Sequence, residues 1–419
     1  MKNKPTILFT TPVLQHPAAG GPYLRIENSI KALSKISNLY IYSRVSLDKI
    51  GGDTGLSFYK KYCKGFYFAP FTISGNKYTG FSKRAISFLS KKIINKDIFT
   101  LNQESEKDFQ HLLEIADTIQ VDAIWLGFGN LSYSLLKYIK SKSKYRVVLD
   151  TDSVWSRFIL RELPFAVNQE EYRKVEKVGK EKEEEERWGT QLADVTTAVS
   201  EVDADYYRNL AKRPLQIHLF SNVVDTETYQ QVPPPVAKFK KPSIYLAGTF
   251  WRRSPMTDAV RWVIREVLPF LRQQIPDIHF YILGTGSAQE LSDINDPSIT
   301  IVGKLPSVLP YLCYVNVALV PLRFESGTRF KILEAGACGT PVVSTTLGAE
   351  GIPTTHEEDI LIADEPKIFA DSIIRLITDQ DLAIRLAENL KKLVYEKYSV
   401  VSLANEGRTI LDYLTGHPN

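Results

Sequence analysis

Residues 317–345 read VALVPLRFESGTRFKILEAGACGTPVVST. An apolar run, 317–322, ends at Pro321 and Leu322. A loop then carries Arg323, Glu325, Ser326 and Gly327, a helix is expected from near Thr328, and a second branched run, 340–345, follows. Short Val- and Leu-rich runs joined by a helical segment are the sequence form of parallel strands buried on both faces. One strand–helix–strand unit is therefore written here in full.

Outward from this stretch the rhythm persists. Similar runs occur at 243–248 (SIYLAG), 279–284 (HFYILG), 299–303 (ITIVG) and 359–364 (DILIAD). An earlier series occupies 6–10 (TILFT), 38–44 (NLYIYSR), 123–128 (AIWLGF), 145–150 (YRVVLD), 195–200 (VTTAVS) and 216–220 (QIHLF). Between the two series lies QQVPPPVAKFKKP, 230–242, whose prolines predict a stiff extended connector. The pattern predicts an α/β protein of two doubly wound Rossmann-like domains, 1–225 and 243–400, joined by a linker at 226–242 and facing a cleft. The last segment, 401–419, is expected as a helix returning to the first domain. Ser254-Pro255 reads as an N-cap and first helical residue, followed by an apolar stripe of Val260, Val263, Ile264, Val267, Leu268 and Leu271. Helices are also expected at 170–188, whose EKEEEER run reads as a solvated face, and at 366–377 and 379–397.

A length of 419 residues exceeds one hydrophobic core, in keeping with two domains. With 44% hydrophobic and 24% charged residues, the composition excludes a disordered, collagen-like or disulfide-stapled chain. Cys63, Cys313 and Cys338 form no C-x-x-C, so neither a zinc site nor a disulfide framework is expected, and a reducing cytoplasmic compartment is. The opening MKNKPTILFTTPV holds too short an apolar run for a signal peptide, and no stretch approaches the about 18 apolar residues of a membrane span. The net charge of +4 conceals an asymmetry: residues 1–149 hold 22 Lys and Arg against 10 Asp and Glu. That balance favours an anionic partner for the first domain. No nucleic-acid reading module accompanies it, so nucleic acid is not expected.

Ligands of parallel α/β sheets bind beyond the carboxyl ends of the strands. After the first strand, Gly20 and Gly21 lead into a helix whose free N–H groups suit an anion, although an ordinary turn reads equally well. No G-x-G-x-x-G follows that strand and no P-loop lysine motif occurs, which argues against a dehydrogenase and a P-loop NTPase. In the second domain, Glu334 lies three residues after Lys331 and seven after Gly327, placing these positions on one helical face. A carboxylate there can accept both hydroxyls of a ribose, and Arg329, Lys331 and the helix N-terminus can meet a diphosphate. A surface Lys331–Glu334 pair is the plainer alternative.

PLRFESGTRFKILEAGACGTPVVST followed by GAEGI resembles the donor-binding segment of retaining GT-B glycosyltransferases of family 4. The resemblance extends to SNVVD at 221–225, YLAGTF at 245–250, IREVLPFLRQQIPDIHFYILGTG at 264–286 and ITIVGKLPSVLPYL at 299–312. It implies that Glu334 holds the donor ribose. The family's first acidic position falls at Ser326, with Glu325 one residue early. Either the loop shifts to present Glu325 to the sugar, or backbone N–H groups of 326–329, Gly327 and Thr328 among them, meet it instead. The resemblance further implies a diphosphate clamp from Arg252 or Arg253 with Arg329 and Lys331, a nucleobase edge at Gly303, Lys304 and Leu305, and donor contacts at Gly20, Gly21 and Gly248. On the first domain, LDTDSVWSR offers Asp150 and Asp152 beside the acceptor, and Asp152 is the preferred catalytic candidate. Asp150-Thr151-Asp152 is not read as a metal loop, and His16 reads as a solvent-loop residue.

The expected activity is metal-independent transfer of a sugar from a nucleotide-diphosphate sugar, UDP- or GDP-linked, with retention of anomeric configuration and no cofactor. The basic, amphipathic stretch 81–97 suits either an anionic membrane surface or an ordinary helix with lysines in water. A lipid-linked or polysaccharide precursor is the expected acceptor. A non-catalytic sugar-nucleotide-binding scaffold and a nucleotide-sugar epimerase are the alternatives.

Overall fold

The computed structural model describes residues 4–70 and 106–416. The stretch 81–97 lies outside them. The chain divides into two compact units, one of residues up to 222 together with 400 onward, the other of residues 223–399.

The first unit holds a parallel sheet of β1 (Thr6–Thr11), β2 (Asn38–Ser43), β3 (Gly65–Phe68), β4 (Ala123–Gly127), β5 (Arg146–Asp150), β6 (Val195–Ala198) and β7 (Ile217–Leu219). Their spatial order is β3-β2-β1-β4-β5-β6-β7. Reversal of the order in which strands are added, outward from β1, is the doubly wound signature, and ligand crevices open at that switch point. Phe9 in the central strand stands between Ile41 and Trp125 and is fully buried, which is why its neighbours can be apolar on both faces. β3 was not expected. Its GFYF has no Val/Ile run, and as an edge strand it pairs only with β2 and stays half-buried.

The second unit repeats the plan with β8 (Ser243–Ala247), β9 (His279–Leu283), β10 (Ile299–Gly303), β11 (Val317–Val320), β12 (Val342–Ser344) and β13 (Leu361–Ile362), ordered β10-β9-β8-β11-β12-β13 and all parallel. Each expected run in this half has its strand. The α/β class and two Rossmann-like sheets are thus present.

Ser254 caps the helix Pro255–Trp262 through its side chain, which accepts from Thr257 N at 3.0 Å. The expected single helix then widens into a π turn, Val263–Val267, before resuming at Leu268–Gln274. Pro269 has no N–H to give to the preceding turn, and the wider turn absorbs that loss, with Leu268 N bonded to Val263 O. Ile264 consequently slips to a half-buried position while Val263, Val267, Leu268 and Leu271 remain buried.

Two further expectations are corrected. The EKEEEER run sits in the helix Gln169–Leu192, but Lys182 and Glu186 in it are buried, so it is not a uniformly solvated face. Both fall on the inward stripe begun by Val175, Val178 and Gly179. The stretch 230–242, expected as a stiff extended connector, packs on the second unit. Thr226–Gln230 is helical, and the following residues lie on the second unit: Tyr314 Oη donates to Pro233 O at 2.7 Å, and Phe239 stacks on Tyr281 with ring centroids 5.0 Å apart.

The helix Val400–Thr415 completes the first unit against the helix Gly21–Ile36. A side chain on Gly407 would come within 2.9 Å of Ile36 Cδ1, so glycine permits this approach. Glu406 accepts from Ser221 N at 2.7 Å and from Ser221 Oγ at 2.8 Å, fastening the returning helix to the end of the sheet. No helix among the described residues is long and apolar enough to cross a membrane.

Candidate donor-binding site

In the second unit, loops leaving β8, β9, β10 and β11 gather at one end of the sheet. Parallel pairing of Val317 with Ile244 and Ala318 with Tyr245 sends the loops after β8 and β11 out side by side. Arg323 joins them, donating from Nε and Nη2 to the Asp258 carboxylate at 2.8 and 2.6 Å. The loops after β8 and β9 meet backbone to backbone. Gly248 N donates to Leu283 O at 3.0 Å and Phe250 N to Thr285 O at 2.8 Å. Gly284, at φ +126°, would put a side chain 1.7 Å from Gly248 O, so only glycine fits there. Gly284 N also bonds Gly303 O at 2.8 Å, bringing in the loop after β10.

The predicted donor residues distribute over this rim unevenly. Gly248 stands over Met256, and Gly303 turns at φ +83° into exposed Lys304 and half-buried Leu305. Arg252 and Arg253 are exposed, Arg253 with a left-handed backbone at φ 61°. The helix begins at Phe330 rather than near Thr328, so Gly327, at φ +82°, is a loop residue and does not share a helical face with Glu334. Ser326 and Thr328 are buried, and Ser326 Oγ has no hydrogen-bond partner among the described residues.

Arg329 differs most from expectation. It is buried, and its guanidinium turns into the loop, donating to Gly327 O and, at 3.3 Å, to Leu347 O, with Nε 3.4 Å from Glu325 Oε2. Its visible contacts brace the loop. Glu325 is thereby drawn toward Arg329.

Glu334 and Lys331 lie on the helix Phe330–Cys338, both half-buried. Burial pushes the Glu334 carboxyl above the usual range, while a hydrogen bond from Tyr229 and the Lys331 charge pull it down. The helix has no side-chain cap and no acid in its first turn, leaving its N-terminal N–H groups and partial positive charge for an anion.

In the first unit, Gly20 at φ +92° caps the helix Gly21–Ile36 without a side-chain bond. His16 is not a free solvent-loop residue: its ring stacks on Phe58 at 3.6 Å and Nδ1 lies 3.0 Å from Glu27 Oε2. Asp150 and Asp152 have separate environments. Both Asp150 oxygens are engaged, by Arg25 and Thr197 Oγ1 on one and by Trp125 Nε1 at 3.0 Å on the other. Asp152 accepts from Trp155 Nε1 at 3.1 Å, and its own N donates to Asn130 Oδ1. Burial pushes the Asp152 carboxyl up to about 7 against the opposing pull of Arg25.

Sequence reasoning missed the group behind Asp152. Lys182 Nζ donates to Asn130 O at 3.1 Å and to Glu185 at 2.6 Å, and lies over the rings of Tyr133 and Trp155. Glu186 accepts from Trp155 N at 2.8 Å and from Ser156 Oγ. Burial raises Glu186 to about 7. The available signal was the i, i+4 spacing of Lys182 and Glu186 along the Val175–Val178 stripe. Tyr229, hydrogen-bonded to Glu334, was also missed, since it sits in what read as linker.

Residues 241–379 match the family Glycosyl transferases group 1. A protein of the Klebsiella pneumoniae cps region is 27% identical over 150 residues, 33% of this chain and 38% of that protein. The N-acetyl-alpha-D-glucosaminyl L-malate synthase of Bacillus anthracis is 22% identical over 241 residues, 54% of this chain and 61% of the synthase. The chain thus spans less than two thirds of either curated relative. Among solved structures, Anabaena Alr3699/HepE in complex with UDP and glucose superposes with a TM-score of 0.63 at 13% identity, covering 97% of this chain and 99% of that one. Sucrose-phosphate synthase of Thermosynechococcus elongatus gives 0.68 at 16% identity, covering 99% and 100%. The two sheets therefore have the GT-B fold, and the segment 241–379, which carries the 321–329 loop and Glu334, is the part that matches the glycosyl transferases group 1 family.

Proposed function

We propose that this protein is a retaining glycosyltransferase of the family 4 type, moving a sugar from a nucleotide-diphosphate sugar to an acceptor. The observation that carries the reading is the rim of the second unit: a half-buried carboxylate, Glu334, one turn from Lys331 on an uncapped helix, inside the segment that matches the group 1 family. Glu334 accepts the ribose hydroxyls. The uncapped N–H groups, Lys331, Arg252 and Arg253 offset the charge that grows on the departing diphosphate, and Arg329 holds the loop that leads into the helix of Lys331. The transition state is oxocarbenium-like, and the step needs neither a metal nor another cofactor. Asp152 serves the acceptor hydroxyl.

HepE was solved with UDP and glucose, which supports a UDP-sugar as the first donor to try. The basic N-terminal segment favours an anionic acceptor such as a lipid-linked or polysaccharide precursor, handled at the inner face of a membrane from the cytoplasm. A thermal-shift screen against UDP, GDP, ADP and their sugars tests the donor, because a ligand of the native state raises the melting temperature. Proton NMR of the glycosylated product then reads the anomeric configuration. No shift with any of the nucleotides overturns the proposal.

A non-catalytic sugar-nucleotide binder is the second reading. Ser326 at the family's acidic position and Glu325 drawn to Arg329 favour it. Nucleotide-sugar binding without transfer or hydrolysis, across a set of lipid and glycan acceptors, would decide for it.

A further inference from the structure

Glu334 is not presented by its own helix alone. Tyr229, in the short helix Thr226–Gln230, donates from Oη to Glu334 Oε1 at 2.9 Å. Tyr229 is only 8% exposed, and a buried phenol hydroxyl requires an acceptor. Among the described residues, the titratable groups facing Glu334 are Lys331 and Cys338 on its own helix, Tyr229, and Tyr245 from β8. Lys331 is the only cation among them. Burial beside the carboxylate holds both phenols protonated, so Tyr229 acts as a donor. A carboxylate has about four lone-pair sites. With one taken at Oε1, the group can no longer rotate freely and Oε2 is left to accept from a ligand.

We propose that Tyr229 is a positioning residue for nucleotide recognition: its hydroxyl locks the Glu334 carboxylate in the orientation that accepts the vicinal hydroxyls of a ribose. The inference rests on the reading of Glu334 given above. Tyr229→Phe keeps the ring in place and removes only the O–H. The carboxylate then loses both its orientation and a hydrogen bond that favours its charged form.

The test is calorimetry on the full chain with UDP, GDP and ADP, followed by the 2′-deoxy counterpart of the tightest binder. Wild type, Tyr229→Phe, Glu334→Gln and the double variant are compared from pH 5 to 8, with melting temperatures as the check on folding. In Tyr229→Phe, ribonucleotide affinity should fall about tenfold at neutral pH. The preference for ribose over deoxyribose should shrink, and the acid limb of binding should move to higher pH. In the Glu334→Gln background the same substitution should do almost nothing. A loss equal at every pH, or one that persists undiminished without the carboxylate, would leave Tyr229 a packing residue and overturn the inference. Wild-type affinity and ribose preference in Glu334→Gln would instead remove Glu334 from the site and end both readings, as would absence of binding by all three nucleotides.

Discussion

Arg25 and Asp150 form an ion pair closed to water, with side chains 1% and 0% exposed. Arg25 also donates to Asn222 Oδ1 and Thr151 O, each at 2.8 Å, and Trp125 and Thr197 complete the carboxylate. The pair ties the helix Gly21–Ile36 to the end of β5. Removing one partner strands a buried charge, so Asp150→Ala should destabilise the protein by about 3–5 kcal/mol. Urea denaturation of the variant measures this.

Asp152, two residues on, should behave differently. Asp152→Asn should leave the urea midpoint and nucleotide affinity close to wild type while lowering turnover about a hundredfold. Because burial raises the Asp152 carboxyl to about 7, wild-type activity should climb with pH through neutrality as the anion forms. A flat profile between pH 6 and 8 would show that its ionisation is not needed.

Glu186 supplies a stability test. Burial pushes its carboxyl up to about 7 in the folded protein, against the ordinary 4.5 of an exposed glutamate in the unfolded chain. Between those values the folded state holds a proton that the unfolded state has released, so this group's contribution lowers stability as pH rises through the window. Glu186→Gln should therefore reduce the decline in urea midpoint between pH 5 and 8.

Gly284→Ala should cost about 3 kcal/mol, because the methyl group meets the Gly248 carbonyl and the backbone is at a positive φ. Since the same glycine joins the loops after β8 and β10, nucleotide affinity should fall along with the melting temperature.

Arg252→Ala/Arg253→Ala tests the proposed diphosphate clamp. Contacts that tighten as the leaving group charges lower kcat more than donor affinity. Steady-state kinetics with calorimetry separates the two, and a loss of affinity with kcat unchanged would assign the arginines to ground-state binding.

The strands were legible because full burial on both faces writes continuous apolar runs, as in β1 and β9. β3 was hidden by its edge position, which needs no such run. Glu334 and Lys331 could be picked out as i, i+3 neighbours, but the inward turn of Arg329 could not. Its partners are the carbonyls of residues 327 and 347, and backbone acceptors leave no trace in side-chain identity. Lys182 and Glu186 were obscured for a related reason: a charged stretch looks solvated until the neighbours that hydrogen-bond it, Asn130 and Ser156, are seen to fold over it.

The placement of Val400–Thr415 bears on how the polypeptide matures during synthesis. When the ribosome has released residue 399, every strand of both sheets exists, yet Ile36, Leu33 and Phe220 still await Gly407 and its helix. The first unit is therefore begun before the second and completed after it, and its flank stays open until the helix Val400–Thr415 has been made.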